Sequence, residues 1–430
     1  MRDIIFQDGV VGCGGAGFPA SVKLEGRVDT LIVNAAECEP LLHKDQELLA
    51  HRADPFFAGL AAAMRRVSAR RGIIGIKKKH GHLISSLSRR CPADVTVLPL
   101  EDTYPAGDEF VLVFEVTGRI IGPGGLPKDV GAVVLNVETL VNIGLGRPVT
   151  RKFLTVAGLV ARPVTLEVPV GTPFADVIAA AGGPVVPDSG VLVGGVMMGR
   201  LADDLSEPVT KTTAGLIVLP RDHRLIRRYE RRPGAVRRIA RSACDQCCFC
   251  TELCPRYLLS HPVEPHRVMR SFGLGLPDDA AVRFATFCSG CRLCSLAACP
   301  EDLDPSEVCA MAKKTMAGGR PTASTAPLSR PHPLRFGRRL PLSRLVRKLG
   351  LADIMDHAPL RDIRVAPRRV RLPLRQHAGV AAEAVVRVGQ RVKEGDCLGE
   401  IPKGKMGAPV HASIDGRVLS VAEAVVIEAE

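Results

Sequence analysis

The sequence predicts a multidomain protein of the α/β plus β class, with a small β-rich module, a helical cysteine-rich domain and a C-terminal all-β sandwich behind an α/β domain. Three observations predict it. Strand-like and helical runs alternate up to about residue 147, short strands around one helix fill Lys152 to Pro220, and eight of the 14 cysteines fall at ligand spacing in two tight runs between 244 and 299. At 430 residues the chain has room for about three domains, each with its own core.

Each element follows from its local pattern. TLIVNAAE (30–37) and VVLNVETL (133–140) read as buried strands followed by turns, GIIGIKKK (72–79) as another buried strand and DPFFAGLAAAMRRVSARR (54–71) as an amphipathic helix, so residues 1–147 form an α/β unit. FLTVAG, VTLEVPVG, TPFADVIAAAGG, GVLVGGVMMGRL and AGLIVLP suggest a β-grasp-like module over 150–222. An Arg-rich connector leads to the cysteine domain, 236–316, and AGGRPTASTAPLSRPHPLR opens a Pro-rich basic linker, 317–344. The piece 345–430 carries VVRVGQRVKEGDCLGEI and APVHASIDGRV, where Gly-Asp and Asp-Gly turns join strand pairs into a small sandwich.

Composition excludes several classes. No run of eighteen apolar residues occurs, so no transmembrane segment is expected, and the start lacks the basic-then-apolar pattern of a secretory signal. The formal charge is +13, but 14 Lys or Arg against three acids lie between Arg320 and Arg375. The excess is therefore one segment without aromatic interleaving. It reads as a solvated linker able to dock an acidic partner, not as a nucleic-acid surface.

The cysteine runs carry the sharpest chemistry. Cys244-x2-Cys247-x2-Cys250-x3-Cys254-Pro255 has bacterial ferredoxin spacing, and Cys288-x2-Cys291-x2-Cys294-x4-Cys299-Pro300 repeats it with a wider last gap. In such runs three thiolates hold one cubane and the fourth crosses to the other. Two [4Fe-4S] clusters follow, one on Cys244, Cys247, Cys250 and Cys299, the other on Cys254, Cys288, Cys291 and Cys294. Structural zinc shares the C-x2-C pairs but does not explain two triplets each closed by Cys-Pro. Cys248 falls out of register and reads as filler; Cys309 reads as a packing residue. Paired clusters move single electrons, so a cofactor that splits electron pairs is needed, and flavin is the usual one.

GVVGCGGAGFPASVK (9–23) contains G-x-G-x-x-G at Gly12, Gly14 and Gly17, and Glu37 follows at about the spacing of a ribose-binding acid. The upstream stretch leaves little room for a buried first strand, and Pro19 places a helix start after the glycines. A Rossmann turn, a ligand-free turn and a phosphate loop backed by Lys23 all remain open on these residues alone.

Four stretches together, GCGGAGFPASVK, NAAECEP (34–40), YPAGDE (104–109) and GGLPKDVGAVVLNVETL (124–140), with the clusters behind them, resemble the flavin-binding subunit of respiratory complex I and its relatives. Those relatives include the RnfC component of the Rnf complex and the cobalamin reductases of propanediol-utilisation microcompartments. The resemblance spans nearly the whole chain. It implies a complex I 51 kDa-like FMN-binding domain, a soluble-ligand-binding β-grasp (SLBB) domain, a bis-[4Fe-4S] ferredoxin-like domain and an RnfC-like barrel-sandwich hybrid. It also implies FMN and NADH as cofactor and co-substrate. Gly12, Gly14, Lys23, Asn34, Gly107, Asp108, Glu109, Asn136 and Thr139 match FMN-contacting positions, while Phe18, Glu39 and Glu109 match the border of the NADH site. Glu37 is a further nucleotide-site candidate, although it and Glu138 also suit roles bracing turns. The chain departs from the complex I pattern at Cys13, Ala36 and Leu135.

With the barrel-sandwich piece last, the domain order looks most like the microcompartment cobalamin reductases. That implies electron delivery from NADH to cob(III)alamin or cob(II)alamin, with an adenosyltransferase and a shell protein as partners, and residence in the cytoplasm within or at a microcompartment. The alternatives are an Rnf-type electron carrier between NADH and ferredoxin or another partner, and a non-catalytic conduit or docking protein with a degenerate flavin site. Lys405-Met406 stands near a carrier lysine's place, but the Met-Lys-Met hairpin is absent, so the module is expected to dock or brace, and to be dispensable for flavin chemistry. His261 and His266 are expected at the surface.

Overall fold

The computed structural model describes residues 3–231, 233–276, 280–316 and 328–430; the first eleven residues of the expected linker, 317–327, lie outside them. A parallel sheet forms the frame of the first unit. Its strands β1 (Thr30–Ala35), β2 (Arg71–Lys77), β3 (Val95–Leu100) and β5 (Ala132–Asn136) run in the order β3-β2-β1-β5, with the two-residue β4 (Thr103–Tyr104) outside the sheet. β1 is buried on both faces, which is why it reads as a continuous apolar run.

The run 133–140 is only half strand. β5 ends at Asn136, whose side chain accepts from the Glu138 N–H and starts a helix, Val137–Leu145. An N-cap asparagine followed by apolar residues at helical spacing outweighs the β-branched content of that stretch. The helix Ala53–Arg66 packs across it where glycines permit near backbone contact. A methyl group at Gly59 would lie 1.8 Å from the Leu140 carbonyl oxygen, and one at Gly144 1.8 Å from that of Pro55. Before the glycine loop the chain forms the short helix Ile4–Gln7 rather than a strand.

The second unit has five strands, β6 (Arg151–Gly158), β7 (Val164–Pro169), β8 (Ser189–Val193), β9 (Arg200–Leu201) and β10 (Gly215–Pro220), in the order β7-β6-β10-β8-β9. The helix Phe174–Ala180 buries Phe174, Val177 and Ile178 in the core they share. Short helices then carry the cysteines around a core of Val268, Met269, Val282, Val308 and Ala312.

The described part of the expected linker does not behave as one. β11 (Leu340–Pro341) pairs antiparallel with β4, placing Leu340 opposite Tyr104, and the helix Leu342–Leu349 buries Leu342, Leu345 and Leu349 in one cluster with Leu293 and Leu296. Three of its arginines pair within the chain: Arg335 and Arg339 with Glu115, and Arg338 with Glu252. Apolar residues spaced along the basic run turn it into a strap over the junction of the first and third units. The C-terminal strands begin only at Arg369. β12 (Arg369–Pro373), β13 (Glu383–Ala384), β14 (Arg391–Val392), β15 (Cys397–Glu400), β16 (Val410–His411), β17 (Gly416–Val421) and β18 (Ala424–Ala429) form two small sheets, β12-β18-β17-β14 and β13-β15-β16, over one apolar core. Among the described residues no helix is long and apolar enough to cross a membrane.

Candidate functional site

The first site lies at the carboxyl edge of the parallel sheet, where Asn34 and Asn136 are paired neighbours at the ends of β1 and β5. This is where open α/β sheets bind ligands. The glycine loop folds over that edge, closed by a bridge between Val11 and Pro19 and by the Gly12 N–H donating to the Phe18 carbonyl at 2.9 Å. The Cys13 N–H donates to Thr139 Oγ1 at 3.0 Å, and a side chain at Gly14 would meet Asn136 at 3.2 Å. Gly15 has open space where a side chain would stand. Phe18 is 39% exposed, so its ring is free to take a stacking partner. The helix after the loop is only Ala20–Lys23, and no strand enters it, so this is not a Rossmann turn.

Lys23 pairs with Glu109 at 2.6 Å, both partly exposed. Asn34 donates to the Gly107 carbonyl at 2.8 Å, and a side chain at Gly107 would press on Cys38 Sγ at 3.2 Å. Asn136 donates to Asp45 at 2.7 Å. Glu37 accepts from the Asp45 N–H at 3.0 Å; burial raises its carboxyl to about 7, and the neighbouring Asp45 pushes the same way. Bare amides, an accessible ammonium and short amide side chains fit a flavin phosphate and its ribityl chain.

Three expected contacts are engaged elsewhere. Asp108 caps the helix Glu109–Thr117 and pairs with Arg256 at 2.6 Å, with little of either side chain exposed. Glu39 accepts from the Met197 and Met198 N–H groups of the β-grasp loop, both at 2.8 Å, and burial raises its carboxyl to about 7. The Thr139 hydroxyl is fully buried and holds the loop rather than facing its open side. Tertiary packing, which motif matching does not register, recruits these side chains to bind modules together.

Beneath the loop lies an ionic network that sequence reading left unresolved. Lys44 pairs with Asp45 at 2.5 Å and Glu138 at 3.2 Å, and Glu138 also pairs with Lys152 and accepts from the Phe153 N–H. Burial pushes the Glu138 carboxyl up, but Lys152 and Lys44 pull it down further, below its ordinary value. Glu138 thus braces the first unit against β6. The signal available was Glu138 and Lys152 inside otherwise apolar runs.

The thiols form two sets. Cys250 has Cys244, Cys247 and Cys299 as its neighbouring thiols, and these four line one cavity. Cys254, Cys288 and Cys291 lie around Cys294. The fourth cysteine of each run therefore crosses to the other triplet. Burial raises Cys250 and Cys254 to about 12, each pushed further by nearby thiols. Crowded buried thiols gain greatly from a cation that takes their protons, which fits iron–sulfur ligation. Cys248 lines the same cavity, where its thiol donates to the Gln246 carbonyl at 3.1 Å. Cys309 is fully buried and hydrogen-bonds to Cys288, lowering it to about 6. His261 is not a surface residue: it is buried, bonded to the Ile121 carbonyl and packed edge-on against Phe110.

The segment 104–110 of the first unit and the thiol-bearing segments meet directly. The Tyr104 hydroxyl donates to the Cys291 carbonyl at 2.8 Å, and Arg256, two residues after Cys254, lies over the Phe110 ring while pairing with Asp108. Arg292, next to Cys291, stacks on Tyr229, whose hydroxyl bonds to the carbonyls of Val196 and Met197.

Comparison with known proteins agrees module by module. Residues 5–145 match the Nuo51 FMN-binding domain, 153–201 the SLBB domain, 243–304 a 4Fe-4S dicluster domain and 354–430 the RnfC barrel sandwich hybrid domain. A solved NAD+-reducing [NiFe]-hydrogenase aligns loosely, with a TM-score of 0.46 and 22% identity over 76% of this chain and 68% of that one. The RnfC-type component of the Na(+)-translocating ferredoxin:NAD(+) oxidoreductase complex of Acetobacterium woodii is 34% identical over 269 residues, 60% of this chain and 58% of that protein. Cobalamin reductase PduS of Salmonella typhimurium is 42% identical over 428 residues, 98% of this chain and 95% of that protein, and the Citrobacter freundii protein matches equally. With that identity over nearly its full length, the chain belongs to the PduS family, as a flavo-iron–sulfur electron-transfer protein.

Proposed function

We propose that this chain oxidises NADH and delivers the electrons one at a time to cobalamin, as cob(III)alamin or cob(II)alamin, readying the cobalt for adenosylation. When bound, FMN takes up an electron pair as hydride and gives it up singly, and each [4Fe-4S] cluster carries one electron. The chain's own residues do the rest. The Gly12–Gly15 backbone and Lys23 hold the phosphate; Asn34, Gly107, Glu109 and Asn136 orient the ribityl chain and ring, with Glu37 behind them; Phe18 offers a stacking face to the nicotinamide. Cys244, Cys247, Cys250 and Cys299 ligate one cluster, and Cys254, Cys288, Cys291 and Cys294 the other. Tyr104 and Arg256 keep the ligand-bearing segments against the flavin-site loop. On the acceptor side an adenosyltransferase and a microcompartment shell protein are the proposed partners, with the chain in the cytoplasm within or at that compartment.

The observation that carries this reading is the hydrogen bond from Tyr104, in the flavin-site segment, to the backbone of Cys291. Electron transfer between cofactors needs the two modules that hold them in fixed contact more than it needs an acid or base. The test is anaerobic stopped-flow of the reconstituted protein with NADH, then with cob(III)alamin. Flavin bleaching, cluster bleaching and cob(II)alamin formation are expected in that order. Protein that holds iron but binds no flavin would leave only a conduit, and electrons that reach ferredoxin but not cobalamin would favour the Rnf-type role.

A further inference from the structure

The glycine loop is held from outside its own domain. Its leading end, Gly9, has φ +63°, and a side chain there would lie 2.5 Å from both Lys211 Nζ and the Pro409 carbonyl oxygen. Its trailing end, Gly17, has φ +69°, and a side chain there would meet Thr212 at 2.8 Å, the His377 backbone at 3.0 Å and the Gln376 carbonyl at 3.1 Å. Residues 210–213 belong to the β-grasp module and 376–411 to the barrel sandwich, so both modules grip both ends of the loop.

Lys211 is the centre of this grip. It is 1% exposed, and its ammonium donates to the carbonyls of Gly9 at 2.8 Å and Pro409 at 2.9 Å, while its backbone N–H donates to Gln376 Oε1 at 3.0 Å. The Ala378 N–H donates to the Gly17 carbonyl at 3.2 Å, and His377 is locked by the Ala408 carbonyl at 2.9 Å. A buried ammonium held only by neutral carbonyls is costly, since nothing cancels its charge. Burial accordingly pulls Lys211 down to about 8. An aliphatic side chain would fill that space more cheaply, so the charge is explained by what it holds in place.

Resting on the flavin reading above, we infer that Lys211, with Gln376, is a positioning residue that joins three modules around the glycine loop and sets its affinity for the FMN phosphate. Fixing Gly9 and Gly17 removes the loop's conformational freedom before the ligand arrives, while Gly14 and Gly15 between them stay bare. The barrel-sandwich module is then part of the flavin site, contrary to the expectation that it can be removed without loss.

The test uses the full chain with its clusters reconstituted, flavin removed, and FMN titrated back by fluorescence quenching. Lys211→Met is expected to raise the FMN dissociation constant about tenfold, as losing two charge-assisted hydrogen bonds to the loop and Pro409 would. Iron content is expected to stay at the wild-type value, and Lys211→Gln, which keeps a donor, to recover part of the affinity. Hydrogen exchange at residues 9–17 is expected to quicken in Lys211→Met before FMN is added. Unchanged affinity in folded Lys211→Met overturns the inference. If that variant loses iron along with flavin, Gln376→Ala decides: weaker FMN at full iron supports positioning, and unchanged FMN overturns it. Wild-type protein that binds no FMN would instead sink the proposed function itself.

Discussion

The two thiol sets are built from nearly the same sequence motif and differ in their surroundings, although each holds at least one buried thiol, Cys250 in one and Cys254, Cys291 and Cys294 in the other. Cys254, Cys291 and Cys294 are buried, and the Cys291 backbone is bonded to Tyr104 of the flavin-site segment. In the other set Cys247 is exposed, and the neighbouring Phe249 is 45% exposed. Spacing of cysteines specifies which atoms can share a cubane; it says nothing about which cubane faces the flavin and which faces solvent. That polarity comes from the Tyr104–Cys291 bond, the Asp108–Arg256 pair and the strap over the junction.

The largest expected effect takes the two sets apart. Cys291→Ser and Cys247→Ser should each lose about half the iron, since one cubane goes in either case. Only Cys291→Ser should also lower the melting temperature and FMN retention, because its neighbours tie two modules together. Iron assay, flavin release and calorimetry on both variants check this, and equal damage would erase the distinction between the sets. Next in size, Arg256→Ala leaves Asp108 buried without its partner, which should cost about 3–5 kcal/mol of stability in a denaturant titration. A loss near the roughly 0–1 kcal/mol of a surface pair would mean the junction is held elsewhere.

Lys23→Ala tests the contrast from the flavin side. It should weaken FMN by about 1–3 kcal/mol, as loss of a charge-assisted hydrogen bond does, while both clusters stay full. An unchanged dissociation constant would move the phosphate off this loop. The smallest effect concerns Glu39, whose carboxyl is raised to about 7 by burial. A raised acid favours the folded state fully below its unfolded value near 4.5, and that advantage fades as pH rises through about 7. The melting temperature should therefore fall between about pH 5 and pH 8, with a shallower slope in Glu39→Gln. Parallel slopes would show that Glu39 does not hold the Met197–Met198 loop as a titrating group.

Much of the frame was legible in the chain. The runs beginning at Thr30 and Gly72 became β1 and β2, whose continuous apolar character reflects burial on both faces. The helix at 53–66 and the β-grasp strands were equally clear. The stretch after Asn136 was not, because a capping side chain overrode β-branched composition. Within the site, Gly12, Gly14, Asn34, Gly107 and Asn136 converge on the sheet edge, and their motifs showed them. The different duties of Asp108 and Glu39 were invisible, since their partners, Arg256 and the Met197–Met198 backbone, lie 148 and 158 residues away. Arg335, Arg338 and Arg339 read as solvated charge for the same reason: nothing local announces Glu115 or Glu252.

By itself the sequence determined the donor atoms: sulfur at ligating intervals, bare glycine amides beside a lysine, apolar periods that make sheet and helix. These are local properties, set by spacing along the backbone. Only the tertiary structure decided which thiol set adjoins the flavin loop, that a basic run becomes a strap, and that Lys211 carries the last module onto Gly9. Those outcomes depend on burial and on charges meeting across hundreds of residues, where desolvation makes each unpaired group too costly to leave and so selects one arrangement of the modules.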